Sequence, residues 1–344
     1  MFAVYSQDHQ YHNPRFELVD GQFSPPFEHP RRAETVLAQI REISLGHILP
    51  PRDFGLSAIL RVHDEGFVRF LQTAWNEWSL VRGEGDAFPF TWIGRAMRRD
   101  KVPETSDGKL GYYAFDAGTP ITSGTWRAAT TSVNVALTGQ ELVAKGERAV
   151  FALCRPPGHH AARDCYGGYC FLNNAAIAAQ AFRDAGAERV AILDVDYHHG
   201  NGTQEIFYDR RDILFVSLHA HPRQEYPYFS GYEDERGAGT GEGYNQNYPL
   251  PWGTDWTSYR EPLEDAIRAI RNYSPDAFVV SLGVDTFEKD PICKFQFHKE
   301  DYLRLGEAIA RVNKPTLFVM EGGYAVDELG LNVVNVLVGF ENAC

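Results

Sequence analysis

The chain has 344 residues, 44% hydrophobic and 23% charged, enough to bury one large core, and it carries a formal net charge of −13. That charge argues against nucleic acid, whose binders present a basic stripe; it suits a cationic ligand, although solubility alone can account for it. The opening MFAVYSQDHQ has neither a basic n-region nor an apolar h-region, and no apolar run reaches about 18 residues, so neither secretion nor membrane spanning is expected and the cytoplasm is the expected compartment.

FAVYS reads as a first strand, followed by helices near 31–43 and 65–80. Residues 81–113 show no periodicity and are too long for a routine connection, and their aromatic content favours an ordered functional loop. A helix over 125–145 leads into the strand RAVFALC (148–154). A helix over 173–187 precedes the strand RVAILDV (189–195), and DILFVSL (212–218) is a further strand. A helix over 256–273 leads to the strand DAFVVSL (276–282), and a helix over 299–313 to the strand PTLFVMEG (315–322). Strands rich in β-branched residues alternating with amphipathic helices predict an α/β fold, a mainly parallel β-sheet flanked by helices on both faces. No internal repeat or Pro/Ser linker interrupts it, so a single domain is expected. Five cysteines, Cys154, Cys165, Cys170, Cys293 and Cys344, are odd in number and form no C-x-x-C pair, which predicts reduced thiols.

Chemistry gathers where the strands end. The apolar run at 190 continues as ILDVDYHHGNG, and strand geometry sends Asp194, Asp196 and His198 to one face if the segment stays extended. Burying such groups together costs several kcal/mol each unless a cation sits among them. The other strands run into RPPGHH, HAHP, GVDTF and EGGY. In a parallel sheet all carboxyl ends share one edge, so His159, His160, Asp196, His198, Asp285 and Tyr324 should converge there. Taken singly, each has a plainer reading: Asp285 as a helix cap, Tyr324 as an anchored core tyrosine, the tandem histidines as turn packing. The convergence is the stronger signal. A binuclear manganese site of the arginase kind needs a carboxylate two positions beyond His198 and another beside Asp285. Gly200, Thr286 and Phe287 stand there instead, so a single ion is expected. Two carboxylates and one imidazole leave room for water and substrate, the pattern of a catalytic zinc, and Fe2+ or Co2+ would suit the same donors.

In CRPPGHHA, GGYCFLNNAA, ILDVDYHHGNGTQEIFY, VSLGVDTFEKDP and VMEGGY, in that order and over nearly the whole chain, the sequence closely resembles the histone deacetylase superfamily, with its arginase-like fold. Within it the acetylpolyamine amidohydrolases look nearest. The resemblance implies hydrolysis of an N-acetyl amide by zinc held on Asp196, His198 and Asp285. It makes His159 and His160 the general acid/base pair, Tyr324 the carbonyl-polarising hydroxyl, Asn201 the partner of His160, and His199 buried and structural. It implies a structural K+ near Asp194 and Ser217 with carbonyls of Asp196, His198 and Leu218, and a second at Phe207, Arg210, Ile213 and Tyr244. Tyr169 and Tyr226 fall where the family walls a narrow tunnel, or they simply pack loops, and the Gly168 carbonyl is placed to accept the substrate amide. Family members that prefer polyamines carry an acidic tunnel mouth; its counterparts here are Asp107 and Gly118, with Asp116 and Glu17 as possible replacements. The segment 81–113 matches a loop that forms a dimer contact in the polyamine enzymes. The implied partner is thus a small cationic acetylated amine, with no nucleic acid or membrane and a homodimer as the expected assembly. An acetyl-lysine deacetylase acting on peptides and an inactive binding module are the other readings.

Overall fold

Eight strands lie side by side in the computed structural model, which describes residues 1–343; Cys344 falls outside the described residues. They are β1 (Phe2–Val4), β4 (Ile48–Leu49), β5 (Ala149–Ala152), β6 (Val190–Asp194), β7 (Ile213–Ala220), β8 (Asn245–Leu250), β9 (Ala277–Leu282) and β10 (Thr316–Met320). Their order is β4-β1-β5-β10-β9-β6-β7-β8, and every neighbouring pair is parallel. β2 (Glu17–Val19) and β3 (Gln22–Ser24) form a separate antiparallel hairpin. The central strands are buried on both faces, which is why they read as unbroken apolar runs rather than alternating ones.

The helices are α1 (Arg31–Glu42), α2 (Ser57–Leu60), α3 (Glu65–Arg82), α4 (Ser106–Tyr113), α5 (Thr125–Ala144), α6 (Asn174–Asp184), α7 (Asn201–Phe207), α8 (Trp256–Tyr273), α9 (Lys299–Ala310) and α10 (Val326–Asn342). α5 packs on α6 and the sheet, while α1, α10, α9 and α8 pack one on the next to cover it elsewhere. α8 shows the local logic. Asp255 caps it by accepting the Ser258 amide, Tyr259, Leu263, Ala266, Ile267 and Ile270 form its buried stripe, and Ser274 ends it in the left-handed conformation.

Several elements escape the sequence pattern for physical reasons. β8 (NQNYPL) is a polar edge strand whose Asn245 and Asn247 side chains both donate to Gln204. α4 lies inside the expected 81–113 loop. Thr105 caps it, but two glycines leave it little apolar periodicity. β2, β3, β4 and α7 are too short to show a period. Cys154, Cys165, Cys170 and Cys293 are free thiols.

Candidate active site

At the carboxyl edge, Asp196 and His198 follow β6 and Asp285 follows β9, the neighbouring strand. One ligand atom from each lies within 4.8 Å of the other two, and all three residues are buried. His198 Nδ1 sits 3.0 Å from Asp285 Oδ2 and 3.4 Å from Asp196 Oδ1. The backbone aims the carboxylates: the amides of Tyr197 and His198 donate to Asp285 Oδ1 and Asp196 Oδ1 at 2.8 and 2.9 Å, and Gly322 donates to Asp196 Oδ2 at 2.8 Å. A Cβ on Gly283 or Gly322 would fall on Asp196 Oδ2, so the cradle is cut to fit the carboxylate. Burial opposes charge on His198, yet Asp196 and Asp285 raise its pKa well above the usual value. The cluster thus demands a positive charge at its centre, and its two oxygen donors and one ring nitrogen fit a divalent metal. At Gly200 a side chain would run into Asp194, and the Thr286 hydroxyl is engaged with Tyr302, so neither position can add a ligand for a second ion.

The tandem histidines stand beside this cluster with ring centroids 4.0 Å apart. His159 Nδ1 lies 3.0 Å from Asp194 Oδ2 and His160 Nδ1 lies 2.7 Å from Asn201 Oδ1, leaving each Nε2 free to face inward. Their environments push them apart. Burial disfavours charge on His159, but Asp196 and Asp194 outweigh it and raise its pKa to about 10. His160 falls well below the usual value, first through burial and then through the charges of His159 and His198. The loop that carries the pair is pinned by Glu321, whose Oε2 accepts the amides of Gly158 and His159 at 2.7 and 3.1 Å.

A cavity of about 330 Å³ opens over these groups, with His160, His198 and Tyr324 lining it together with Gly168, Tyr169 and Tyr226. Gly168 has φ 55°, and a side chain there would strike the His160 ring. Tyr169 packs edge-on to Tyr324 at 5.6 Å and Tyr226 edge-on to His160 at 5.1 Å. Leu18, Ile292 and Glu225 also line the cavity, and none of these was expected from the motifs. Glu225 Oε2 accepts the Tyr197 hydroxyl at 2.7 Å, which ties the loop bearing Tyr226 to the segment bearing His198.

The acidic residues expected at the mouth are placed differently. Asp116 lines the cavity, but its Oδ2 accepts the Tyr226 hydroxyl and the Gly168 amide and its Oδ1 the Gly118 amide; it braces the tunnel walls. Asp107 is not brought to the cavity: it sits on α4 and pairs with Arg82 at the end of α3. Glu17 lies on β2 and is buried facing Tyr169, and burial pushes its carboxyl up to about 7. Gly118 lines the cavity without a side chain.

The residues expected to hold potassium are near one another in sequence and sheet. Strand register sets Asp194 opposite Ser217, with Leu218 next along, and Asp194 Oδ1 accepts the Asp196 amide at 3.1 Å. The Phe207 carbonyl accepts the Arg210 amide at 3.0 Å just before Ile213 opens β7, and the Tyr244 carbonyl accepts the Phe215 amide at 3.0 Å. His199 is fully buried, its Nε2 3.1 Å from Gln204 Oε1.

The sequence model of the histone deacetylase domain matches residues 26–339. The chain belongs to the histone deacetylase family. This family member is 61% identical to acetylpolyamine amidohydrolase 2 of Pseudomonas aeruginosa, over 99% of both chains. It is 48% identical to the acetylpolyamine amidohydrolase of Mycoplana ramosa, over 98% of this chain and 99% of that one. Its fold superposes on the crystal structure of acetylpolyamine aminohydrolase from Burkholderia pseudomallei with a TM-score of 0.95, at 39% identity and covering 100% and 99% of the two chains. It is accordingly a hydrolytic enzyme, an amidohydrolase on the acetylpolyamine branch of the family.

Proposed function

We propose that this amidohydrolase cleaves the acetamide of N-acetylated polyamines and diamines, of the acetylputrescine, acetylcadaverine and acetylspermidine type, releasing acetate and the free amine. The observation that carries the reading is one cavity lined by an imidazole of the metal cluster, a neutral histidine and a tyrosine hydroxyl, with aromatic walls. The names of the relatives supply the substrate class.

Asp196, His198 and Asp285 would hold the ion. When bound there, zinc, or Fe2+ or Co2+ on the same donors, supplies Lewis acidity to a carbonyl and to water. His160, kept neutral by burial, takes the proton of the attacking water at Nε2 and returns it to the leaving amine. Asn201 orients that ring without adding the negative charge that an aspartate would. His159, anchored through Nδ1 by Asp194, stands beside His160 and assists it. The Tyr324 hydroxyl donates to the oxygen on which charge develops, a contribution of about 10² to 10³ in rate for a donor of this kind. The Gly168 carbonyl would accept the substrate N–H, and Tyr169 and Tyr226, which line the cavity, would admit a thin aliphatic chain.

Potassium at the Asp194–Ser217 and Phe207–Tyr244 positions would be structural. The whole chain is read as one deacetylase-like domain with residues 81–113 as an insertion. Val81, Phe90, Trp92, Met97 and Val102 of that segment expose their side chains, which supports a homodimer contact there. No described helix is long and apolar enough to cross a membrane. The test is acetate release from acetylputrescine by the protein as purified, after chelation, and after zinc is returned. Activity should vanish on chelation and return with zinc; activity that survives complete metal removal refutes the reading.

A further inference from the structure

After β10 the chain runs through Glu321, Gly322 and Gly323 to Tyr324 and enters α10 at once, with Ala325 as an N-cap that makes no side-chain capping bond. Gly323 has φ 128°, a conformation that L side chains rarely adopt, so the turn before the tyrosine is built on glycine. Two side chains from elsewhere hold this turn. On the carbonyl side Arg32, buried on α1, donates Nε to Gly323 O and Nη2 to Glu321 O, each at 2.6 Å, and its guanidinium lies 4.7 Å from the Tyr324 ring centroid. On the amide side stands Asp290, also buried. Its Oδ2 accepts the Tyr324 amide at 2.7 Å and the Ala325 amide at 3.2 Å, while its Oδ1 accepts the amide of Ile292, a cavity wall, at 3.1 Å.

Asp290 stands in the loop after β9 that also carries the candidate metal ligand Asp285. The carboxylate therefore ties the tyrosine backbone to the loop that carries one wall of the metal cluster, across two neighbouring strands, β9 and β10. We propose that Asp290 is a positioning residue that sets where the Tyr324 hydroxyl stands over the reacting carbonyl; the proposal rests on the reading of Tyr324 as the oxyanion donor. The plainer alternative is that Asp290 only caps α10, which would stabilise the fold by about 1 kcal/mol and leave turnover alone. Misplacing a catalytic group by about 1 Å can cost about 10²-fold in rate, so the two roles separate in kinetics.

The experiment is a double-mutant cycle on the metal-loaded enzyme with acetylputrescine, comparing parent, Asp290→Ala, Tyr324→Phe and the double variant. Asp290→Ala should lower kcat about 10-fold or more with KM within about 3-fold and metal content unchanged, and in the Tyr324→Phe background it should cost less than about 3-fold. An equal loss in both backgrounds, unchanged kcat in Asp290→Ala, or loss of metal would overturn the proposal. Should Asp290→Ala not fold, Asp290→Asn keeps the shape and one acceptor oxygen, and the same non-additivity is expected on a smaller scale. Full activity in Tyr324→Phe alone would remove the role of the tyrosine and this proposal with it, and it is told apart because it shows before Asp290 is altered.

Discussion

Asp196 and Asp285 share His198 between them, whereas His160 stands outside that cluster on its own hydrogen bond to Asn201. Removing a ligand and removing a base should therefore have different signatures. Asp196→Ala and Asp285→Ala are expected to lose metal and activity together, since two remaining donors hold an ion poorly. His160→Ala should keep its metal and lose about 10² to 10⁴ in kcat. Metal analysis beside turnover checks both; full occupancy in the aspartate variants, or metal loss in His160→Ala, contradicts the assignment.

At the scale of elements, the joint between the N-terminal segment and the site is a buried charge cluster. Glu28 meets Arg32 Nη1 at 3.0 Å and Arg155 Nε at 2.8 Å, Arg155 also donates to the His9 carbonyl, and His12 Nε2 lies 3.9 Å from Glu28. Burial alone would raise the Glu28 pKa, but Arg155 and Arg32 outweigh it and hold the carboxyl at about 2 against an ordinary 4.5. A depressed carboxylate contributes stability above its unfolded pKa and loses it as pH falls through the folded one. Glu28→Gln should cost about 3 kcal/mol at neutral pH, because two guanidiniums then lie buried without their carboxylate, and the difference from the parent should shrink below about pH 4.5. Urea midpoints of both proteins across that range check it, and a difference independent of pH would contradict it. His9 and His12, held by burial at about 4 and about 3, add acid sensitivity of their own, which the Glu28 carboxylate moderates in the parent by raising both.

The segment 81–113 belongs to the same scale. α4 packs on α3 while the stretch between them exposes apolar side chains. Deleting residues 85–105 should convert the proposed homodimer to monomer in sedimentation and weaken discrimination against bulky substrates. A deletion variant that folds, remains dimeric and keeps the same ranking would show that the segment does neither.

For the whole molecule, the sequence was most informative where burial is complete. The strands RVAILDV and DAFVVSL declared themselves because both faces are covered, and their ends placed Asp196, His198 and Asp285 at one edge of the sheet. Polar edge strand β8 and the short α7 carried no such pattern. Glu17, Asp107 and Asp116 show a second limit: an acidic residue near a motif does not reveal whether its carboxylate meets ligand, a tyrosine hydroxyl or an arginine, since that depends on which loops fold over it. Asp290 and Arg32 were invisible for a related reason. They act through backbone amides and carbonyls, which leave no trace in residue identity.

The net charge of −13 and the aromatic cavity together make a cationic, thin acetylated amine the expected substrate, with attraction that weakens as salt is raised. The most direct measurement is kcat/KM for acetylputrescine, acetylcadaverine, acetylspermidine, acetylspermine and an acetyl-lysine peptide flanked by bulky residues, at low and high ionic strength. The acetylated diamines should lead, matching or exceeding acetylspermine because Gly118 places no carboxylate for its extra ammonium groups, and their values should fall with salt. A peptide hydrolysed faster than every acetylated diamine would contradict this and identify the enzyme as an acetyl-lysine deacetylase.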